Sequence, residues 1–496
     1  MVKLPKLKKA EKTIERQTRL LLVNLVRGAL VILILWLIVG NLDWYDPWLS
    51  LKPEISQVGA RTEFLVEAGD KDAGIKKVRV AVKQGDQEKE VLSRTYPSSW
   101  GIFGSKGSEI TKVEVPFVLE AKALGLQDGK ATLLVEVWDR SWRNYFQGRH
   151  ASLSLEMMVD LVPLKLTFQS VNHLLHSGGA GVICYRLSKA AGESGVLTGG
   201  VLYKGFPNPK GPEGEYVCLF PVSRESSGTA QVDLVARSAS GSEVRHRVSF
   251  KVKPRKWRQD RMNLSEDFLR QVAATFSVAH PGDLVAAYLE VNRELRRKNH
   301  DQVRQVCSQS QPQTLWSGAF QRLLGKPMAR FGDKRAYFYQ GRQIDQQVHL
   351  GEDLASLEKS PVPAGNRGVA VLAEPLGIYG QTVILDHGLG VFSMYSHLSQ
   401  IDVQKGDKVE KGATVGRTGA TGLAGGDHLH FSMILQGEFV DPVEWWDPHW
   451  HKDQMEGQWA RAATSTGEPV KAAAARPGKA GKAKGKAKPA KSKKKR

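Results

Sequence analysis

Three short stretches decide how this chain is read: His349-Leu350-Gly351-Glu352-Asp353, Tyr395-Ser396-His397-Leu398 and His428-Leu429-His430-Phe431. Histidines and a carboxylate in this number form a nitrogen and oxygen donor set suited to Zn2+, and a fourth position left for water distinguishes a catalytic site from a structural one. Residues i and i+2 of an extended segment point to the same side, so His428 and His430 should face one cavity. His349 and Asp353 stand four apart around Gly351, a spacing that suits a bend between strands better than a helical face. His397 should arrive from another strand, after Val391-Phe392-Ser393-Met394-Tyr395.

The surroundings of these stretches, from about Trp316, are short strands separated by glycine-rich turns. Residues from roughly 325 to 447 resemble the lysostaphin/LytM-type zinc metallopeptidases, endopeptidases of bacterial peptidoglycan. The resemblance runs through Phe331-Gly332-Asp333-Lys334-Arg335, Gly380-Gln381-Thr382-Val383-Ile384-Leu385-Asp386-His387-Gly388, Val403-Gln404-Lys405-Gly406-Asp407-Lys408-Val409 and Val415-Gly416-Arg417-Thr418-Gly419-Ala420-Thr421-Gly422. It implies one zinc per chain on His349, Asp353 and His430, with His397 and His428 as catalytic residues flanking the bound water or the developing oxyanion. Two departures stand out. An acidic residue usually follows the final His-Phe, where this chain has Ser432, and a ligand histidine commonly needs an acceptor on its other nitrogen. Glu352 occupies a position usually apolar; it alternates away from Asp353 and is not expected to be a ligand. His387 is expected to be structural, and His449-Trp450-His451 repeats the spacing without the surrounding pattern.

Upstream, the fold is expected to be multidomain and mainly β. The formal charge of +20 is concentrated at the ends: residues 1–19 contribute +5 and residues 469–496 contribute +12, leaving about +3 between them. That distribution argues against a nucleic-acid-binding face, and no nucleic-acid partner is expected. Residues 1–19 read as a basic cytoplasmic segment and 20–40 as a transmembrane helix, an uncleaved anchor rather than a signal peptide, because the apolar run is long and no small-x-small site follows it. Lysines and arginines precede the span, and Trp44, Tyr45 and Trp48 follow as interfacial anchors, so the bulk of the chain should be extracytoplasmic.

Alternating patterns such as Val78, Val80, Val82 and Val248, Phe250, Val252 suggest two Ig-like β-sandwiches, 52–160 and 161–255, acting as a spacer or a substrate-binding module. Cys184 and Cys218 form either a disulfide or two buried thiols. A helical linker, 262–315, is expected to begin at a cap on Asn263, and its second helix to end at Arg296-Arg297-Lys298-Asn299; the hairpin either links domains or covers the active-site groove. The peptidase domain should span 316–448, and the Lys/Ala-rich tail, 465–496, should be disordered and drawn to anionic wall polymers or lipid headgroups. The whole reads as a membrane-anchored endopeptidase cutting peptidoglycan cross-links or stems. The alternatives are a catalytically silent regulator of other wall hydrolases and a wall-binding tether.

Overall fold

The structure, a computed structural model, describes residues 5–41, 45–71, 73–97, 110–171 and 174–459 of the chain. The basic tail, 465–496, lies outside the described residues. Helix Pro5–Asn41 carries the apolar stretch. Its 21-residue segment Arg16–Trp36 contains an 18-residue window of mean hydropathy 2.0, long and apolar enough to cross a membrane. Leu21, Leu25, Ile32 and Trp36 are among the large apolar side chains it exposes.

By its contacts the chain divides into two units, residues 1–166, 187–204 and 232–248, and residues 167–186, 205–231 and 249–496. In the first, strands Trp48–Lys52, Arg61–Gly69 and Lys112–Glu120 form one sheet, and Gln57–Val58, His150–Val159, Gly129–Asp139, Ile75–Gln84 and Gln87–Thr95 form another in that order. Alternate residues from both sheets, including Phe64, Val66, Val115, Val80, Val82 and Val135, meet in one core. The period of two in the sequence thus becomes two inward faces.

The second unit contains the candidate site. Its main sheet, eight-stranded, runs Lys326–Ala329, Glu352–Ala355, Leu429–Leu435, Val391–Leu398, Gln381–Gly388, Gly368–Pro375 and Lys408–Val409, with Glu438–Val440 added beside Leu429–Leu435. Every pairing in it is antiparallel. The central strands are buried on both faces, so they read as nearly continuous apolar runs. Leu429, Phe431, Met433 and Leu435 point into one core, with Val383 and Tyr395. Ile434, Ile384, Phe392 and Met394 point into the other, together with Leu269, Tyr288 and Val303 of the helical insert. His430 and Ser432 alternate with the first set and share the face of Ile434, which is the face that the insert covers.

The insert departs from its expected boundaries. Asn263 ends the strand Gln259–Asn263, which pairs in parallel with Lys334–Tyr339. The helix Glu266–Thr275 is capped by Ser265 instead, whose hydroxyl accepts from the Phe268 N–H. The next helix starts at Leu284 on an Asp283 cap, widens into a π turn over Glu290–Leu295 and continues as Arg296–Val306. It does not stop at Asn299, because that side chain is buried and its Oδ1 accepts the Ile378 N–H at 2.9 Å, a tertiary bond that outweighs a local stop signal. Cys184, Cys218 and Cys307 are buried and outside any disulfide, with Cys184 and Cys218 on adjacent strands but paired in register to Val217 and Ile183.

Candidate metal centre

The bend between Arg342–Val348 and Glu352–Ala355 brings His349 and Asp353 to one point, and the register Asp353↔His430 sets the third residue beside them. Gly351 makes this approach possible. A Cβ there would lie 2.5 Å from the Phe431 carbonyl oxygen, 2.6 Å from Ser432 Oγ and 2.7 Å from His430 Nε2. Three donor atoms result: His349 Nε2 and Asp353 Oδ1 are 2.9 Å apart, His430 Nδ1 and Asp353 Oδ1 are 2.9 Å apart, and the two nitrogens are 3.0 Å apart.

This triangle fits a cation. Donors about 2.0 to 2.1 Å from a tetrahedral zinc stand about 3.3 Å from one another, close to the spacing found. The far side of each residue is tied down, so the convergence is built rather than accidental. His349 Nδ1 bonds the Arg330 carbonyl at 3.0 Å, which leaves its Nε2 for the centre. Asp353 Oδ2 accepts from Arg335 Nη2 at 2.8 Å, which leaves Oδ1. His430 Nε2 meets Ser432 Oγ at 3.0 Å, and that hydroxyl donates to the Leu350 carbonyl at 2.9 Å. The serine that stands where an acidic residue was expected therefore supplies the acceptor. Burial raises the Asp353 carboxyl, but the His349 and His430 charges and hydrogen bonds outweigh it and hold the group well below the usual carboxylate range.

Two further imidazoles line the same cavity, of about 610 Å3. His397, at the end of its strand in a left-handed conformation with φ of 61°, donates from Nδ1 to the Thr421 carbonyl at 2.8 Å. Its Nε2 is left as the basic nitrogen. Burial, then the neighbouring charges of His428 and His430, push its pKa down to about 3, so it is neutral at ordinary pH. His428 bonds the Gly426 carbonyl through Nδ1 at 2.8 Å, its Nε2 lies 3.6 Å from Asp353 Oδ1, and its ring centroid is 4.9 Å from that of His397. All five residues singled out from sequence thus surround one space. His387 does not: it is fully buried, with Nδ1 on the Arg367 carbonyl and Nε2 on Ser393 Oγ, both at 2.7 Å. His449 and His451 also lie off the cavity. Glu352 faces away, its Oε1 accepting the Phe331 N–H at 3.0 Å.

Arg335, which holds Asp353 Oδ2, is a functional residue that the sequence reading does not single out. Its signal was present, a cation alternating on a strand before the ligand bend, but nothing local says which carboxylate it meets. The remaining wall comes from the insert and its strand, with Met262, Leu264, Phe268, Tyr288 and Arg296 lining the cavity.

His349, Asp353 and His430 could hold a metal ion, and with two further imidazoles beside them the donor set suits a metallohydrolase-type centre. Residues 347–442 match the model of peptidase family M23, and this part of the chain is an M23, LytM-type, domain. Among similar proteins, peptidoglycan DD-endopeptidase ShyA of Vibrio cholerae is 28% identical over 33% of this chain and 35% of its own length. DD-carboxypeptidase/endopeptidase Mpg of Neisseria meningitidis is 36% identical over 20% of this chain and 22% of its own. The chain thus spans about a third or less of these relatives. A solved putative M23 peptidase from Pseudomonas aeruginosa, 21% identical, covers 55% of this chain and 94% of that one with a TM-score of 0.36. The catalytic domain of lysostaphin from Staphylococcus simulans, 27% identical, covers 25% and 92% with a TM-score of 0.21.

Proposed function

We propose that this chain is a membrane-anchored, extracytoplasmic zinc endopeptidase that hydrolyses peptide bonds of peptidoglycan cross-links or stems. The observation that carries this reading is the triangle of His349 Nε2, Asp353 Oδ1 and His430 Nδ1 facing a cavity that also holds two basic imidazole nitrogens. The named relatives with matching segments are a peptidoglycan DD-endopeptidase and a DD-carboxypeptidase/endopeptidase, which supports this substrate class.

His349, Asp353 and His430 would hold the ion. A bound zinc supplies Lewis acidity toward a carbonyl oxygen and brings the pKa of water to about 7. His397 and His428, each fixed through Nδ1–H on a backbone carbonyl, present Nε2 to the cavity as proton acceptors. Their ring centroids lie 4.9 Å apart, so the pair can take a proton from the nucleophile and return it to the departing amine. Arg335 occupies Asp353 Oδ2 and leaves Oδ1 for the ion, and Ser432 keeps His430 in the tautomer with a free Nδ1. The helix Pro5–Asn41 serves as the anchor, and the strands from 52 to 255, as two successive Ig-like sandwiches, serve as a spacer between it and the domain over 316–448. The basic tail, 465–496, would add attraction to anionic wall or lipid polymers.

Digestion of purified peptidoglycan by the zinc-loaded full chain in detergent, with mass analysis of the products, tests the reading. Muropeptides should be released, and His430→Ala should abolish their release. A folded, metal-loaded protein that releases none would overturn it.

A further inference from the structure

The cavity is lined by four charged residues other than histidine: Arg296, Arg335, Asp353 and Asp427. Three of them have a polar partner from a distant part of the chain, although Arg335 Nε and Asp427 Oδ1 are buried without a hydrogen-bond partner among the described residues. Arg335 and Asp353 pair at 2.8 Å, and Asp427 Oδ2 accepts the Lys359 N–H at 3.2 Å. Arg296 is different. Its Nε donates to the Asn292 carbonyl at 3.1 Å and its Nη2 to Asn292 Oδ1 at 2.6 Å, and among the described residues no carboxylate pairs with it. A guanidinium has five N–H donors, so three remain.

The group is also held in place. Asn292 is fully buried and donates from Nδ2 to Asp345 Oδ2 at 2.7 Å, while Arg293 Nε and Gln347 Nε2 bond the same carboxylate at 2.9 and 3.1 Å. This chain of bonds runs from the strand Arg342–Val348 to the helix that carries Arg296. The helix is locally a π turn, Glu290–Leu295, and the Arg296 N–H reaches back to the Val291 carbonyl. Such turns shift the following side chains around the axis and recur at functional positions.

We propose that Arg296 is a specificity-determining residue: it binds a free carboxylate of the peptide substrate while the scissile bond lies at the metal centre. This deepens the endopeptidase reading and rests on it for the identity of the substrate. A planar guanidinium with both N–H groups of Nη1 and one of Nη2 unspent matches a carboxylate in two-point geometry. A neutral peptide would leave those donors unpaired in a partly desolvated wall, which is the condition under which polar groups discriminate most strongly.

The test is binding, read by calorimetry on the full chain in detergent after metal removal, so that it does not depend on turnover. The probes are a synthetic cross-linked stem peptide with free carboxylates and the same peptide with those groups amidated. The free acid should bind about tenfold tighter or more, the scale expected of a charge-assisted hydrogen-bonded pair. Arg296→Gln should remove that difference and leave binding of the amidated peptide unchanged, with Arg296→Lys retaining part of it and thermal melts confirming that both variants fold. Equal binding of the two peptides to the unaltered protein, no binding of either, or an equal loss on both in Arg296→Gln would overturn the proposal. Digestion of peptidoglycan by the zinc-loaded protein separates the two readings. A carboxylate preference without digestion defeats the endopeptidase, and digestion without the preference defeats the role of Arg296.

Discussion

At the scale of single residues, the metal centre depends on atoms one bond removed from it. Ser432 Oγ is the partner of His430 Nε2 and passes its own proton to the Leu350 carbonyl. Ser432→Ala would leave a buried N–H and a carbonyl unpartnered and free the imidazole to turn. Zinc affinity, measured by competition with a chromophoric chelator, should fall by about 10- to 100-fold; an unchanged affinity would show that the hydroxyl is dispensable. The five histidine and aspartate positions, which surround one cavity, were legible in the sequence through the motifs that carry the family resemblance. The acceptors that fix their tautomers were not. The carbonyls of Arg330, Thr421 and Gly426 belong to the backbone, and a carbonyl has no residue signature.

At the scale of elements, the helical insert is fastened to the peptidase fold by a buried carboxylate. Asp345 receives Asn292 Nδ2 and, from a half-exposed side chain, Arg293 Nε. Asp345→Ala leaves the buried Asn292 amide without its acceptor, at a cost of about 1 to 3 kcal/mol, most of it local to the insert. Hydrogen exchange across 284–306 should accelerate more than exchange across Val391–Leu398; uniform change across both would contradict that localisation. The existence of the two helices could be read from their 3.6-residue periodicity. Their ends could not, since Asn299 looks like a terminator and is instead a tertiary contact, and the parallel pairing of Gln259–Asn263 with Lys334–Tyr339 spans too much chain for any local pattern to announce.

For the molecule as a whole, the response to acid follows from histidines buried in neutral form. Burial lowers the His387 pKa from 6.5 to about 4, against a smaller opposing bond from its Nδ1–H to Arg367. A folded-state value below the unfolded one means that this contribution to stability is complete above about 6.5 and is lost as pH falls toward 4. It amounts to about 3 kcal/mol. Denaturant unfolding should therefore show that the full chain loses more stability between pH 6.5 and 4 than His387→Gln does, by about that amount; parallel curves would refute the assignment. His300 and His451, each lowered to about 4 by burial, add to the slope in both proteins and cancel in the comparison. The mainly β architecture and the N-terminal apolar helix were visible from alternation and composition, whereas the order of strands in the eight-stranded sheet depends on long-range pairing that composition does not encode.

The tie between Arg335 and Asp353 limits how this protein can be recombined. The M23 match begins at residue 347, but the guanidinium that steadies Asp353, the Arg330 carbonyl that orients His349 and the whole insert-side wall lie upstream of it. The matched block is therefore not a portable cartridge. A chimera spliced at 347 onto a foreign N-terminal half would inherit every ligand and lose the supports of two of them, whereas a splice near 257, ahead of the strand Gln259–Asn263, would carry ligands, supports and wall together.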